Sequence, residues 1–514
     1  MHRMIALLAL LIAIALGLSG CVPGKRESDA GNEISLPEPT GEPENMILGE
    51  SLSNSLSEVT LYYASLDGTS FSTVTRSLLI DSGQNLPEVA VAALLDSDGD
   101  RIIRFPGDTH VLACEYACQT VTVNLSIDVR NVQNPQELLA LETSIGNTLL
   151  GIDGIDGVNV LIGNISESYC LLPWGVQTEP VASVTATYAQ LLAEQDRLAR
   201  QEEGAPLERC ALLYFPTSDG KWLVPELRNI SAESGDFITA LIDALKAGPQ
   251  LQSCSIPSIP EGVELLDTIP SIQTLATGER MLDLNFSSTL ANYLAFSGLN
   301  VWELAGSLSL TMCSFLPDLD AVRIMVNGDP ITMCEVGDNL LTFPEGLIHR
   351  RDFSDRIGSA VTLYLADEAG ALHPVQQAVS TRSALSPGSL LTELIRHGSD
   401  DASARFPLPE GVFPEDLLGV QTSGGIVRVN LSGNFYRCCQ GLSAREERSL
   451  VYSMVNTLCR LEGIRGVRFY VEGRPADTLA GSIYLKSVLL PNPGIAASLP
   501  AADTEQPTDL SPKA

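Results

Sequence analysis

The sequence predicts an α+β protein made of three tandem two-layer α/β sandwich domains, each with the element order β-β-α-β-β-α-β. Three observations predict this arrangement. A strand-like segment recurs as GIDGVNVLIGN (154 to 164), DLDAVRIMVNG (318 to 328) and GIRGVRFYVEG (463 to 473). A second word, [VL]-N-[LF]-S, occurs upstream of each copy. The chain of 514 residues is also long enough for about three domains.

The N-terminus predicts export and lipidation. A basic start and an apolar run over residues 4 to 18 are typical of a secretory signal, and the run is too short to span a bilayer as a stable helix. The signal ends in Leu18-Ser19-Gly20-Cys21, which matches the lipobox of bacterial lipoproteins, in which the cysteine is acylated and becomes the new N-terminus. We therefore predict lipidation of Cys21 and a lipid-anchored protein on the extracytoplasmic face of the cell membrane.

Both ends of the mature chain differ in composition from the rest. Residues 22 to 57 and 491 to 514 are poor in large apolar residues and rich in small and polar ones, which predicts a disordered tether and a loose tail. The formal net charge is −32, from 31 Lys and Arg against 63 Asp and Glu, with no dense basic cluster. Nucleic-acid binding is therefore not expected, and the acyl group is left as the contact with the membrane.

Each repeat opens on a strand rich in β-branched and aromatic residues, at 59 to 63, 211 to 215 and 361 to 365. A helical segment follows, as PEVAVAALL, DFITALIDALKAG and SLLTELIRHG, and then a proline turn at Pro106, Pro260 or Pro409. Two strands come next, and the second carries the repeated word at 123 to 126, 284 to 287 and 429 to 432.

A longer amphipathic helix lies between the repeated word and the last strand, for instance over residues 445 to 461. Copies two and three align there without a gap at an offset of 145, which pairs Asn285 with Asn430 and Thr311 with Asn456. The predicted boundaries are signal peptide 1–21, tether 22–57, first domain 58–170, linker with an amphipathic helix 171–208, second domain 209–334, linker 335–359, third domain 360–490 and tail 491–514.

These words together resemble the GerMN domain of sporulation and spore-germination lipoproteins. The third copy carries the resemblance best, with PEG at 409 to 411, VNLS at 429 to 432, VNTL at 455 to 458 and GVRFYVEG at 466 to 473. The second copy keeps PEG at 260 to 262, and the first is the most diverged. The family's better-described members carry two such domains, whereas three are counted here.

The resemblance implies a non-enzymatic extracytoplasmic lipoprotein that acts as a scaffold or assembly component in sporulation, spore germination or the cell envelope. GerMN domains are similar in fold to ring-building motifs, which implies a homo-oligomer or an envelope protein complex as the partner. The alternative is a surface lipoprotein that binds peptidoglycan or a solute. The partner and the stage of sporulation stay open at this point.

The histidines give no sign of catalysis. The chain has five, His2, His110, His349, His373 and His397, without HExxH or paired-ligand spacing, and no hydrolase motif is recognisable. We therefore predict no enzyme, no catalytic residue and no cofactor.

One stretch invites a metal interpretation. DSDGDRII (96 to 103) resembles the start of a calcium loop, but Arg101 stands where glycine is needed and Gly107 where a bidentate Glu is needed. A solvated turn is the favoured interpretation, and no metal site is predicted.

The cysteines and one extra helix are further candidate functional features. Ten cysteines remain beside Cys21, and an extracytoplasmic setting permits disulfides without fixing any pair. Cys170 and Cys334 hold the same repeat position, Cys438 and Cys439 are adjacent, and no CxxC is present to bind zinc. Residues 181 to 203 carry an apolar helical stripe that packs either within this chain or on a second protein.

Overall fold

The structure, a computed structural model, describes residues 49–52, 55–80, 85–96, 99–200, 204–266, 270–296, 299–397, 406–461 and 463–495. The predicted signal peptide, Cys21 and most of the predicted tether lie outside these ranges, as do residues 496 to 514. Within the described ranges, no helix is both long and apolar enough to cross a membrane.

Regular structure and hydrogen bonds extend past the inner ends of the predicted tether and tail. Strand β1 (Gly49–Leu52) pairs in parallel with a strand of the third repeat, and β2 already begins at Ser55. At the other end, the Asn492 N–H donates to Asn456 Oδ1 at 2.8 Å, and Asn456 Nδ2 donates to the Asn492 carbonyl at 3.2 Å. Both predicted boundaries rest on composition, which does not reveal strand pairing or the hydrogen bonds of a single side chain such as Asn456.

The first repeat consists of five strands and two helices: β2 (Ser55–Ala64), β3 (Phe71–Ile80), α1 (Leu86–Leu95), β4 (Val111–Ala117), β5 (Thr120–Leu125), α2 (Pro135–Leu150) and β6 (Gly157–Ile162). The order is the predicted β-β-α-β-β-α-β. A short hairpin, β7 (Ser168–Tyr169) and β8 (Leu172–Pro173), and helix α3 (Val184–Ala199) lead to the second repeat.

The second repeat has the same order with one added short helix: β9 (Leu207–Pro216), β10 (Leu223–Ala232), α4 (Phe237–Ala247), β11 (Ile272–Thr274), β12 (Arg280–Phe286), α5 (Thr289–Phe296), α6 (Val301–Phe315) and β13 (Ala321–Val326). Four short strands follow β13: β14 (Asp329–Pro330), β15 (Met333–Val336), β16 (Asn339–Thr342) and β17 (Ile348–His349). The last two lie in the segment predicted as a linker, 335–359, and β15 spans its first boundary.

The third repeat adds two short helices to the shared order: β18 (Gly358–Ala366), β19 (Leu372–Ser380), α7 (Thr381–Leu385), α8 (Pro387–His397), β20 (Leu417–Ser423), β21 (Ile426–Leu431), α9 (Gly433–Cys439), α10 (Ala444–Leu458), β22 (Gly466–Val471) and β23 (Arg474–Pro475). The α+β class and the element order predicted from the sequence are thereby confirmed.

Hydrogen bonding divides each repeat into a long hairpin and a three-stranded ladder. In the ladder the first two strands are antiparallel and the last two are parallel, as in β4-β5-β6, β11-β12-β13 and β20-β21-β22. The long helix of each repeat makes the crossover between the two parallel strands, which require such a connection. That helix packs against the first strand of the hairpin and is buried along nearly its whole length in α2 and α6.

The two repeated sequence words meet in one hydrogen bond. The asparagine of each [VL]-N-[LF]-S word accepts, through Oδ1, a backbone N–H from the turn that follows the last strand. The three pairs, with distances of 2.9, 2.9 and 2.8 Å, are Asn124 with Asn164, Asn285 with Gly328, and Asn430 with Gly473. Both central residues of each turn have positive φ, which explains the glycine at the end of the repeated strand word.

A buried threonine ties the long helix of each repeat to its first strand. The backbone N–H of a tyrosine in the strand donates to the threonine hydroxyl at 2.9, 3.1 and 3.0 Å. The pairs are Tyr62 with Thr148, Tyr214 with Thr311, and Tyr364 with Thr457.

This pairing corrects one point of the ungapped alignment, because Thr311 corresponds to Thr457 and not to Asn456. The strands keep the offset of 145, since Leu282 pairs with Val322 as Val427 pairs with Val467. The second repeat therefore has one extra residue between its long helix and its last strand, in a connection where length is free to vary.

We expect Thr311→Val to destabilise the second repeat by about 1–3 kcal/mol, because it leaves the buried Tyr214 N–H without an acceptor while keeping the side-chain shape. Urea unfolding would measure the loss. The control is Thr73→Val on an exposed position of β3, where no comparable loss is expected. Equal stability of the two variants would contradict the assigned role of Thr311.

Candidate functional site

The first and second repeats meet at Arg350, in the segment between the second and third repeats. Its guanidinium is buried, with 1% of the side chain exposed, and Nη2 donates to Glu115 Oε2 of the first repeat at 2.6 Å. Nε donates to Ser314 Oγ of helix α6 in the second repeat at 2.9 Å. We call this group, Arg350 with Glu115 and Ser314, the junction cluster.

The guanidinium of the junction cluster keeps its charge. Burial alone lowers the pKa of Arg350, but the Glu115 carboxylate and the nearby Tyr214 phenol outweigh burial, and the pKa stands above its ordinary value. A buried guanidinium with a carboxylate partner is held in one geometry, because a buried charge without a partner or water is strongly destabilising. The cluster can therefore fix the positions of the first and second repeats relative to each other.

Backbone contacts surround the junction cluster on each side. Between the first and third repeats, the Cys118 N–H donates to Ser359 Oγ at 3.1 Å, and the Ala360 N–H donates to Cys118 Sγ at 3.4 Å. Between the first and second repeats, the Asp318 N–H donates to the Ser166 carbonyl at 2.9 Å. Leu223 and Ile357 form a strand-like bridge between the second repeat and the start of the third. The repeats thus share polar contacts on all three sides.

Sequence reasoning did not find the junction cluster. Arg350 lies in a segment predicted as a linker, and neither Arg350 nor Glu115 falls within a repeated word. The only available signal was HRRDF (349 to 353), a small group of basic residues in a strongly acidic chain.

The histidines lie apart from one another in ordinary pairs. His110 Nδ1 is 3.0 Å from the Asp108 carbonyl, and His349 Nε2 is 3.5 Å from a Glu279 carboxylate oxygen. His373 Nε2 is 2.9 Å from Asp367 Oδ2 in the turn between β18 and β19, and this contact lowers the pKa of Asp367. His2 and the His397 side chain lie outside the described residues.

The part of the chain that the structure describes contains no group of three or more His, Cys, Asp or Glu side chains arranged to hold a metal ion. In the calcium-like stretch, Ser97 and Asp98 lie outside that part. Asp100 forms an exposed ion pair with Arg104 at 3.0 Å, and Arg104 Nε donates to the Gly99 carbonyl. The described residues of this stretch therefore form a solvated turn.

The ten described cysteines are all free thiols. Burial raises the pKa of the Cys313 and Cys439 thiols to about 12 and that of the Cys459 thiol to about 11. Thiols with such pKa values are poor nucleophiles near neutral pH. Cys21, the predicted lipidation site, lies outside the described residues.

Helix α3 packs within this chain along part of its apolar stripe. Val184 and Leu191 are buried in the core of the first repeat, whereas Leu192 is 43% exposed. An open cleft of about 290 Å³ remains beside this helix, between the loop that begins at Trp174 and the start of β9.

A buried carboxyl group in the first repeat is a second feature that the sequence did not reveal. Glu142 on α2 is 4% exposed, and its Oε1 has no hydrogen-bond partner among the described residues. Burial raises its pKa well above the ordinary value, and the neighbouring Glu167 raises it further, while Tyr169 and Arg130 act in the opposite direction. Glu142 is therefore protonated over a wider pH range than an exposed glutamate.

Comparison with known proteins identifies three matched regions. A family model described as "Germane: Sporulation and spore germination" matches residues 60–166, 212–332 and 362–477, which confirms the prediction of three tandem repeats. The tandem GerMN domains of the sporulation protein GerM from Bacillus subtilis are 20% identical, over 57% of this chain and 99% of that chain, with a TM-score of 0.23. A putative lipoprotein from Clostridium perfringens is 18% identical, over 27% of this chain and 93% of that chain, with a TM-score of 0.17. No curated protein sequence matches the chain.

We expect Arg350→Met to destabilise the protein by about 3–5 kcal/mol, because it leaves the Glu115 carboxylate at the junction without its cationic partner. Adding Glu115→Leu should recover most of that loss, since replacing a buried ion pair by apolar residues is often neutral. Chemical unfolding of the single and double variants measures both effects. A loss below about 1 kcal/mol in the single variant would show that the pair does not hold the repeats.

The raised pKa of Glu142 predicts a pH-dependent contribution to stability. Because the folded state holds this proton more tightly, the contribution is complete below the unfolded value of about 4.5 and is lost as pH rises through the higher folded pKa. Glu142→Gln, which stays neutral, should therefore gain in melting temperature over the wild type as pH is raised from about 4 to about 8. Glu410→Gln, at an exposed position, is the control. A difference between Glu142→Gln and wild type that is independent of pH would contradict the assignment.

Proposed function

The chain belongs to the Germane family of sporulation and spore-germination proteins, and we propose that it serves there as a non-enzymatic, lipid-anchored scaffold on the extracytoplasmic face of the cell membrane. The main structural support for a scaffold function is the junction cluster. The buried ion pair joins the first repeat to the segment after the second, and the contacts of Cys118 with Ser359 and Ala360 join the first repeat to the third. Repeats joined in this way form a body whose surfaces keep fixed positions relative to one another. A fixed array of binding surfaces is what a scaffold requires, because it spares the ordering cost of association.

The proposed anchor is Cys21, for which the lipobox sequence is the support. The segment that follows it returns to the folded part at β1, where Gly49 pairs with Gly419 and Leu52 with Thr422 of β20. This pairing attaches the anchor side of the chain to the third repeat.

The non-enzymatic part of the proposal rests on the family and on the chemistry at the junction. Arg350 is held in a charged pair, and the three described histidine side chains are spread over separate repeats and turns. Acid–base or nucleophilic catalysis needs such groups within hydrogen-bond reach of one another and of a substrate.

The alternative function, a surface lipoprotein that binds peptidoglycan or a solute, is favoured by one observation. The cleft beside α3 is open and combines Trp174 with several polar side chains, the kind of lining that small polar ligands use. Sedimentation of the purified protein with isolated cell wall separates this alternative from the scaffold, which does not require it.

Assembly is the direct test of the scaffold. A soluble form that begins at Val22 keeps the pairing of β1 with β20 and the hydrogen bonds between Asn456 and Asn492. We expect it to sediment as an oligomer or to capture envelope proteins, and we expect Arg350→Met to weaken this assembly by loosening the junction. A monomer that captures nothing would contradict the scaffold.

We expect Cys21→Ala to abolish acylation and to leave the folded repeats intact. Metabolic labelling with a fatty-acid analogue, together with the mass of the mature N-terminus, measures this directly. Fractionation alone does not suffice, because an uncleaved signal segment also holds protein at the membrane. A wild-type protein that takes up no label, or that begins at a residue other than Cys21, would overturn the anchor.

A further inference from the structure

The cleft beside α3 lies at the seam between the first and second repeats. Three segments form its walls: the loop that contains Trp174 and Glu179, helix α3 with Gln190, and the start of β9 with Glu208 and Arg209. Its volume of about 290 Å³ is enough for a ligand of the size of an amino acid. None of the contacts at the junction cluster uses these residues.

Arg209 is the one cation among the described residues of the lining, and it is already hydrogen-bonded within the protein. Arg209 Nη2 donates to Glu194 Oε2 at 2.5 Å, Nε to the Pro173 carbonyl at 3.0 Å, and Nη1 to the Glu208 carbonyl at 2.9 Å. Its side chain is 12% exposed. Arg209 therefore holds the walls of the cleft together, and its charge is neutralised by Glu194, so an anionic ligand finds little to attract it.

The two carboxylates of the lining, unlike Arg209, are not paired with any described side chain. Glu179 and Glu208 are exposed, and within the described ranges neither side chain forms a hydrogen bond or ion pair. Two unpaired carboxylates beside a neutralised arginine give the cleft a net negative charge. The whole chain, at −32, adds a field of the same sign, which raises the local concentration of cations.

The aromatic wall fits the same class of ligand. Trp174 is partly buried and lines the cleft, and the face of an indole attracts ammonium and guanidinium groups. The Thr178 hydroxyl, 3.9 Å from Cys210 Sγ, adds a hydrogen-bonding group to the lining. We propose that the cleft binds an organic cation that carries an ammonium or guanidinium group on a short aliphatic chain. The cation is either a free small molecule or the side chain of a basic peptide.

The test is calorimetry on the full-length chain in a mild detergent, with cadaverine and with a blocked tripeptide, acetyl-Gly-Lys-Gly-amide, as probes. Saturable binding of cadaverine alone supports the proposal with a free small molecule as the ligand. Saturable binding of the tripeptide, alone or with cadaverine, supports it with a peptide side chain. Glutarate, of similar length and opposite charge, is expected not to bind.

Matched variants test whether the cleft is the site. Glu179→Gln with Glu208→Gln should weaken binding at least about tenfold, the effect of losing favourable charge interactions worth about 1.4 kcal/mol. Glu261→Gln with Glu264→Gln removes the same number of exposed charges outside the lining and should leave affinity unchanged. Trp174→Leu should also weaken binding. Equal weakening by both double variants, binding of glutarate as tight as that of cadaverine, or no saturable binding of either cation would overturn the proposal. None of these results bears on the scaffold, so the two proposals fail separately.

Discussion

The buried ion pair between Arg350 and Glu115 is the interaction on which the arrangement of the repeats depends. A guanidinium that is 1% exposed is tolerated only with a charged partner and further hydrogen bonds, and here these come from two different repeats. Separation of the first repeat would leave both charges without a partner during the opening. Further hydrogen bonds at Cys118 and Ser166 join the first repeat to the third and to the second repeat.

Within each repeat, order comes from two small hydrogen-bonding devices. The asparagine of the repeated word fixes the turn after the last strand, and the helix threonine fixes the long helix to the first strand. Both devices join segments that are distant in sequence, so each one helps to set the register of a strand or helix. The interior of each repeat is thus specified by residues of that same repeat. The junction depends instead on residues outside the repeated words.

This division explains how much the sequence could predict. The strand word, the asparagine word and the apolar helix faces have fixed spacing, so class, element order and three repeats followed from them. The match of Thr311 with Thr457 was missed because a one-residue insertion in a connection leaves no mark in composition or periodicity. Arg350, Glu142 and the cleft beside α3 were missed for a different reason, since each is created by segments that only the fold brings together.

Native-state hydrogen exchange at increasing denaturant concentration tests most directly whether the three repeats form one unit, held by the junction cluster and the other contacts between repeats. Amides in the parallel strand pairs β5-β6, β12-β13 and β21-β22 report on one repeat each. We expect their opening free energies to converge on a single value in the wild type and to separate in Arg350→Met. Three independent opening reactions in the wild type would contradict this expectation.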